Sequence, residues 1–148
     1  MPSVQVSVIG SGSEHEERAE AVGRLLGARG ATVVTGGRGE VMAAAARGAK
    51  SAGGVTIGIL PGETRAGAND WNDHVVVTGT GHARNLAVVA SGDVVIAVGG
   101  RYGTLAEIAL ALTLGRTVVV LEPGWPVEGT VRAETPEQAV ELALDAVA

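Results

Sequence analysis

Short apolar runs alternate along this chain with Ala-rich stretches of helical length. Residues 4–9 predict a first strand, 14–29 a helix, 31–35 a second strand and 40–52 a second helix. Strands follow at 55–60, His74–Val77, 94–98 and 117–121, with helices at 81–90, 104–114 and 136–146. Gly30 ends the first helix and Gly53-Gly54 the second. Ser13 is the expected N-cap of the first, where Glu14, Glu16 and Glu17 suit the helix dipole. Thr135 and Pro136 mark the start of the last helix. Residues 61–73 read as a polar loop and 123–130 as a Pro/Gly loop.

Strands that alternate with helices make βαβ units and hence a mostly parallel sheet. The runs at 55–60 and 94–98 are continuously apolar, as in strands buried on both faces. The expected fold is an α/β, Rossmann-like single domain over residues 1–148, with about six to seven strands and helices on both faces. The helix at 104–114 is apolar nearly all round, which predicts burial on every side. Either a second subunit or the last helix of the same chain must cover it. The first option, a homodimer, is the expectation here.

Composition narrows the function. A formal net charge of −5 argues against binding to nucleic acid or an anionic membrane surface. Two Trp, one Tyr and no Phe are too few for a single-strand stacking platform. No apolar run reaches a membrane-spanning length, and no basic cluster precedes the first strand, so a cytoplasmic protein is expected. The chain has no cysteine, which removes disulfides and thiolate metal sites. Asp70, Asp73 and His74 are close in sequence, but adjacent residues of an extended segment face opposite ways, so no metal is assigned. No resident cofactor is assigned either.

Glycines cluster where strands end: Gly10-Ser11-Gly12-Ser13, Thr35-Gly36-Gly37-Arg38-Gly39 and Gly99-Gly100-Arg101-Tyr102-Gly103-Thr104. Ligands of open α/β sheets bind outside the carboxyl ends of strands. Glycine there lets the backbone approach a phosphate, and a following helix N-terminus offers amide donors. These turns therefore predict a phosphate-bearing small molecule, a nucleotide first. A dinucleotide fingerprint needs glycine where His15 stands and an acid where Thr35-Gly36-Gly37 stands, which disfavours NAD. Arg84 and Glu107 stand out as charges near apolar helices. They form either a structural pair or a working pair at a ligand.

Thr35-Gly36-Gly37, Thr78-Gly79 with Arg84-Asn85, and Gly99-Gly100-Arg101-Tyr102-Gly103-Thr104-Leu105-Ala106-Glu107 resemble the LONELY GUY superfamily. The nearest likeness is to its short branch, with molybdenum-cofactor carriers and relatives of DNA-processing protein A. The resemblance runs from about Val4 to Leu121. It implies that Gly100, Gly103 and Thr104 hold a phosphate, that Glu107 is a catalytic carboxylate, and that Arg84 is its partner. It also implies a dimer that cleaves the N-glycosidic bond of nucleoside 5′-monophosphates such as AMP. Three positions depart from the enzyme motif: Gly99 replaces its proline, Arg101 its second glycine, and Asn85 the usual lysine. Retained Arg84 and Glu107 favour hydrolysis. The departures and the short chain favour the alternative, a non-catalytic carrier or sensor of a nucleotide or of molybdenum cofactor.

Overall fold

The computed structural model describes residues 3–148. The chain runs β1 (Gln5–Ser11), α1 (Glu16–Ala28), β2 (Thr32–Thr35), α2 (Val41–Ser51), β3 (Thr56–Leu60) and β4 (His74–Val77). It continues through α3 (Arg84–Ser91), β5 (Val94–Gly99), α4 (Tyr102–Thr113), β6 (Val118–Leu121), β7 (Val131–Ala133) and α5 (Pro136–Asp145). The strands form one sheet in the order β4-β3-β2-β1-β5-β6-β7, and every neighbouring pair is parallel. This is the α/β, Rossmann-like architecture that the alternation of periods predicts. Strand order reverses at β1, which pairs with β2 on one side and β5 on the other. A crevice opens at the carboxyl ends of such a pair because the helices that follow leave in opposite directions.

The two faces are covered unequally. Val22 and Leu26 of α1, Ala45 of α2 and Val140 of α5 pack on one face of the sheet. Only α3, through Val88 and Val89, and α4, through Ile108 and Ala111, cover the other. Helices α1 and α2 touch backbone to backbone. A Cβ on Gly23 would lie 1.9 Å from the Ala45 carbonyl oxygen, and one on Gly48 would lie 2.0 Å from that of Glu20. Gly48→Ala must therefore push the two helices apart. The expected cost is about 3 kcal/mol, the upper end of ordinary overpacking, read as a lower urea midpoint at unchanged slope.

Several elements differ from the sequence reading. Strand β7 lies in a stretch too short and polar to register as a strand, and it pairs only at the sheet edge. Ser13 does not cap α1: residues Ser13–His15 form a 3-10 turn, closed by His15 N–H donating to the Gly12 carbonyl at 3.0 Å. Thr135 does cap α5, accepting from Gln138 N–H at 3.1 Å. Helix α4 is not buried all round. Thr104, Ile108 and Ala111 are buried, whereas Ala106, Ala109, Thr113 and Leu114 face outward. Helix α5 cannot cover that outward face, because it packs on the opposite side of the sheet. Among the described residues no helix is long and apolar enough to cross a membrane.

Candidate functional site

At the reversal point Gly10 takes φ 141°, and a Cβ there would lie 1.9 Å from the Val98 carbonyl oxygen. Only glycine lets β1 run this close to β5 and leave the space beyond open. That space is a cavity of about 420 Å³. Its walls come from three strand ends and two helix starts. Gly10 and Ser11 end β1, Gly36 and Arg38 follow β2, and Pro61 follows β3. Arg84 and Asn85 open α3, while Gly103, Thr104 and Glu107 belong to the first turns of α4.

Arg84 reaches across the cavity floor. Its guanidinium lies where a Cβ of Gly36 would be, 1.8 Å from Nη1, so the glycine makes room for the cation. The Nε of Arg84 is buried and has no hydrogen-bond partner. Among the described residues no ion pair joins Arg84 to Glu107. The structural pairing that the sequence allowed is therefore not formed. Burial pushes Arg84 below the usual guanidinium range; Glu107 opposes this and the neighbouring Arg38 adds to it. Guanidinium groups stay charged in proteins, so the cavity keeps two cations.

Glu107 is partly buried one turn inside α4. Burial raises its carboxyl to about 7, against the pull of Arg84. The first turns of α3 and α4 have no side-chain N-cap. At α3 the Arg84 N–H is already taken by the preceding turn, donating to the Gly81 carbonyl, whereas the first amides of α4 stand beside two guanidinium groups, an arrangement that suits an anion.

The other motif residues sit elsewhere. Gly37 lies behind the cavity wall, where its carbonyl accepts from Asn69 N–H at 2.8 Å and Asn72 Nδ2 at 3.0 Å. Thr78 and Gly79 shape the turn before α3; Thr78 Oγ1 donates to the Leu60 carbonyl at 2.7 Å. Gly99 and Gly100 line a separate open cleft of about 350 Å³ with His15 and Trp125. Arg101 and Tyr102 are exposed and line neither space. Conversely, Met42, Gly81 and His82 line the cavity and were not singled out in the sequence. Gly81-His82 lies ahead of Arg84 with only Ala83 between them, and this proximity was the available signal. Met42 carried none. Among the described residues no group of three or more His, Asp or Glu side chains is arranged to hold a metal ion.

Fold and cavity together define a Rossmann-like protein with an arginine-lined cavity at the β1–β5 reversal. The chain belongs to the SLOG cluster4 family, whose sequence model matches residues 3–146. A protein of Archaeoglobus fulgidus is 44% identical over 147 residues, covering 97% of each chain. The molybdenum cofactor binding protein of Rippkaea orientalis superposes with a TM-score of 0.94 at 35% identity, over 100% of this chain and 99% of the other. The molybdenum cofactor carrier protein of Chlamydomonas reinhardtii superposes with a TM-score of 0.90 at 31% identity, over 99% of both chains.

Proposed function

We propose that this protein is a carrier of a phosphate-bearing small molecule of the molybdenum-cofactor type, held as cargo in the Arg84 cavity. The observation that carries the reading is the unpartnered, buried Arg84 Nε beside the uncapped α4. A buried donor without a partner costs stability unless a ligand takes its hydrogen bond. The full-length likeness to two proteins described as binding or carrying molybdenum cofactor supports this choice of cargo. Phosphate meets Arg84, Arg38 and the α4 amides, and Gly10, Ser11 and Gly36 keep the approach open.

The test is calorimetric titration of the purified protein with inorganic phosphate, AMP and NAD, and anaerobically with molybdenum cofactor released from a molybdoenzyme. Phosphate-bearing ligands are expected to bind, with the cofactor tightest and NAD no tighter than AMP. Arg84→Gln removes a charge-assisted bond and should weaken each by roughly tenfold to a hundredfold. Equal affinity in wild type and variant would remove Arg84 from the site. Tight NAD binding with no response to AMP would overturn the ligand class.

One observation favours a second reading, hydrolysis of a nucleoside 5′-monophosphate: Glu107 titrates near 7 and faces the cavity. A carboxyl in that range is suited to proton transfer, and its anion to stabilising an oxocarbenium-like state. Release of free base from AMP or an N6-substituted relative, lost in Glu107→Gln, would replace the carrier reading. We also propose that the protein acts as a homodimer across the thinly covered α3–α4 face.

A further inference from the structure

We infer that the cleft beside Gly99 and Gly100 receives a planar, fused nitrogen heterocycle stacked on Trp125, and that the phosphate of the same ligand reaches the Arg84 cavity. The inference rests on the ligand class proposed above and assigns the place of its ring.

The core of this protein contains no aromatic side chain, and the whole chain has only three. One of them, Trp125, lines this cleft, and Tyr102 packs beside it outside the cleft lining. The rings of Tyr102 and Trp125 lie 6.0 Å apart at an interplanar angle of 39°, and Tyr102 is 80% exposed. Trp125 packs one side against the core beneath α3 and α4 and is only partly buried, so the face it turns to the cleft can serve a ligand as a π-surface.

The wall that carries Trp125 is fixed from three directions. Arg18, from α1, donates to the carbonyls of Glu122 and Pro123. Arg132, from β7, pairs with Glu122 and donates to the carbonyls of Gly124 and Trp125. The Trp125 indole N–H donates to the Arg101 carbonyl at 3.0 Å, tying the loop to the β5–α4 turn. A ring held this firmly loses little freedom when a ligand stacks on it.

Opposite the tryptophan, His15 packs against Gly99, where a Cβ would lie 2.1 Å from its ring. Arg18 donates to His15 Nδ1 at 2.6 Å, which leaves the proton of the neutral imidazole on Nε2. The cleft thus offers a flat apolar wall and a polar edge, the two features a heterocyclic base presents in return. Its volume of about 350 Å³ falls within the range of small-molecule sites.

Cleft and cavity share a wall. A Cβ on Gly100, in the cleft, would lie 2.1 Å from Thr104 Oγ1, and Thr104 lines the cavity. Ser11 of the cavity is also in register with Gly99 of the cleft. A ring in one and a phosphate in the other therefore fit a single molecule that bends over this turn.

GMP is the probe, because guanine shares its amino-oxo pyrimidine edge with pterins; inorganic phosphate reports the cavity alone. In a Trp71→Phe background Trp125 is the only tryptophan. GMP should quench its fluorescence, and phosphate should bind without quenching it. In calorimetric titration Trp125→Leu should weaken GMP by roughly tenfold or more and leave phosphate unchanged, while Trp125→Phe, which keeps a stacking face, stays within about threefold. Both variants lose the indole bond to Arg101, so a merely structural tryptophan would make them alike. Equal GMP affinity in the two, or no quenching by bound GMP, overturns the inference. If phosphate binding still depends on Arg84, the carrier reading survives that failure. If wild type binds neither GMP nor phosphate, both fall.

Discussion

Glu107→Gln is expected to stabilise the protein above pH 7 by about 3 kcal/mol, a rise of roughly 6–12 °C in melting temperature for a chain of this size. Burial holds the carboxyl at about 7 in the native state, against an ordinary value of 4.5. Between those values the native state binds more protons than the unfolded state. Wild-type stability therefore falls as pH rises through this window. Below about 4.5 both states are protonated and the contribution is complete; above about 7 it is gone. Glutamine does not ionise, so the variant lacks this slope. Calorimetric scans at pH 5 and pH 8 on both proteins check it. Had Arg84 and Glu107 formed a buried ion pair, the same substitution would lower stability by about 3–5 kcal/mol, so the sign alone separates the arrangements. A side chain kept at the expense of stability belongs to a site. The variant also sorts the functional readings: a carrier keeps or improves anion binding, whereas a hydrolase loses turnover with binding nearly intact.

Light scattering is expected to give a particle of twice 14.8 kDa. The sheet face under α3 and α4 has two helices where the other face has three. Leu86 on α3 is 43% exposed, and Val76 of β4, in register with Ile59 of that face, is 47% exposed. Ala106, Ala109 and Thr113 continue the same uncovered surface along α4. Exposed apolar side chains on one thinly covered face are the basis of the homodimer proposed above. Ala109→Glu places a charge there without touching the core and should halve the mass while the circular dichroism spectrum stays the same. Leu112 is a poor site for this test: it packs on the core beneath α4, close to Gly129, so a charge there unfolds the chain. A monomer at micromolar concentration would remove the dimer.

The sequence by itself determined the order and kind of the main elements, the edge strand β7 excepted. Continuous apolar runs can be satisfied only as buried parallel strands, and the Ala-rich stretches between them only as crossover helices. It also determined that glycines gather at strand ends and that Arg84 and Glu107 stand at two helix starts, because both are local matters of spacing. Tertiary structure decided which turns share a cavity. The order β4-β3-β2-β1-β5-β6-β7 brings Gly10, Gly36 and Gly103 to one space and turns Gly99 and Gly100 to another. Spacing could not show that Arg38 rather than Arg101 sits beside Arg84, since side-chain direction at a turn depends on backbone angles that glycine leaves open. Nor could it show His15 facing Trp125, which are far apart in the chain and meet only because β1, β5 and β6 are adjacent strands. The fate of Arg84 and Glu107 was decided in the same way. Whether two opposite charges touch or stand apart around an open space depends on how helices pack across the sheet, and here α3 and α4 hold them apart.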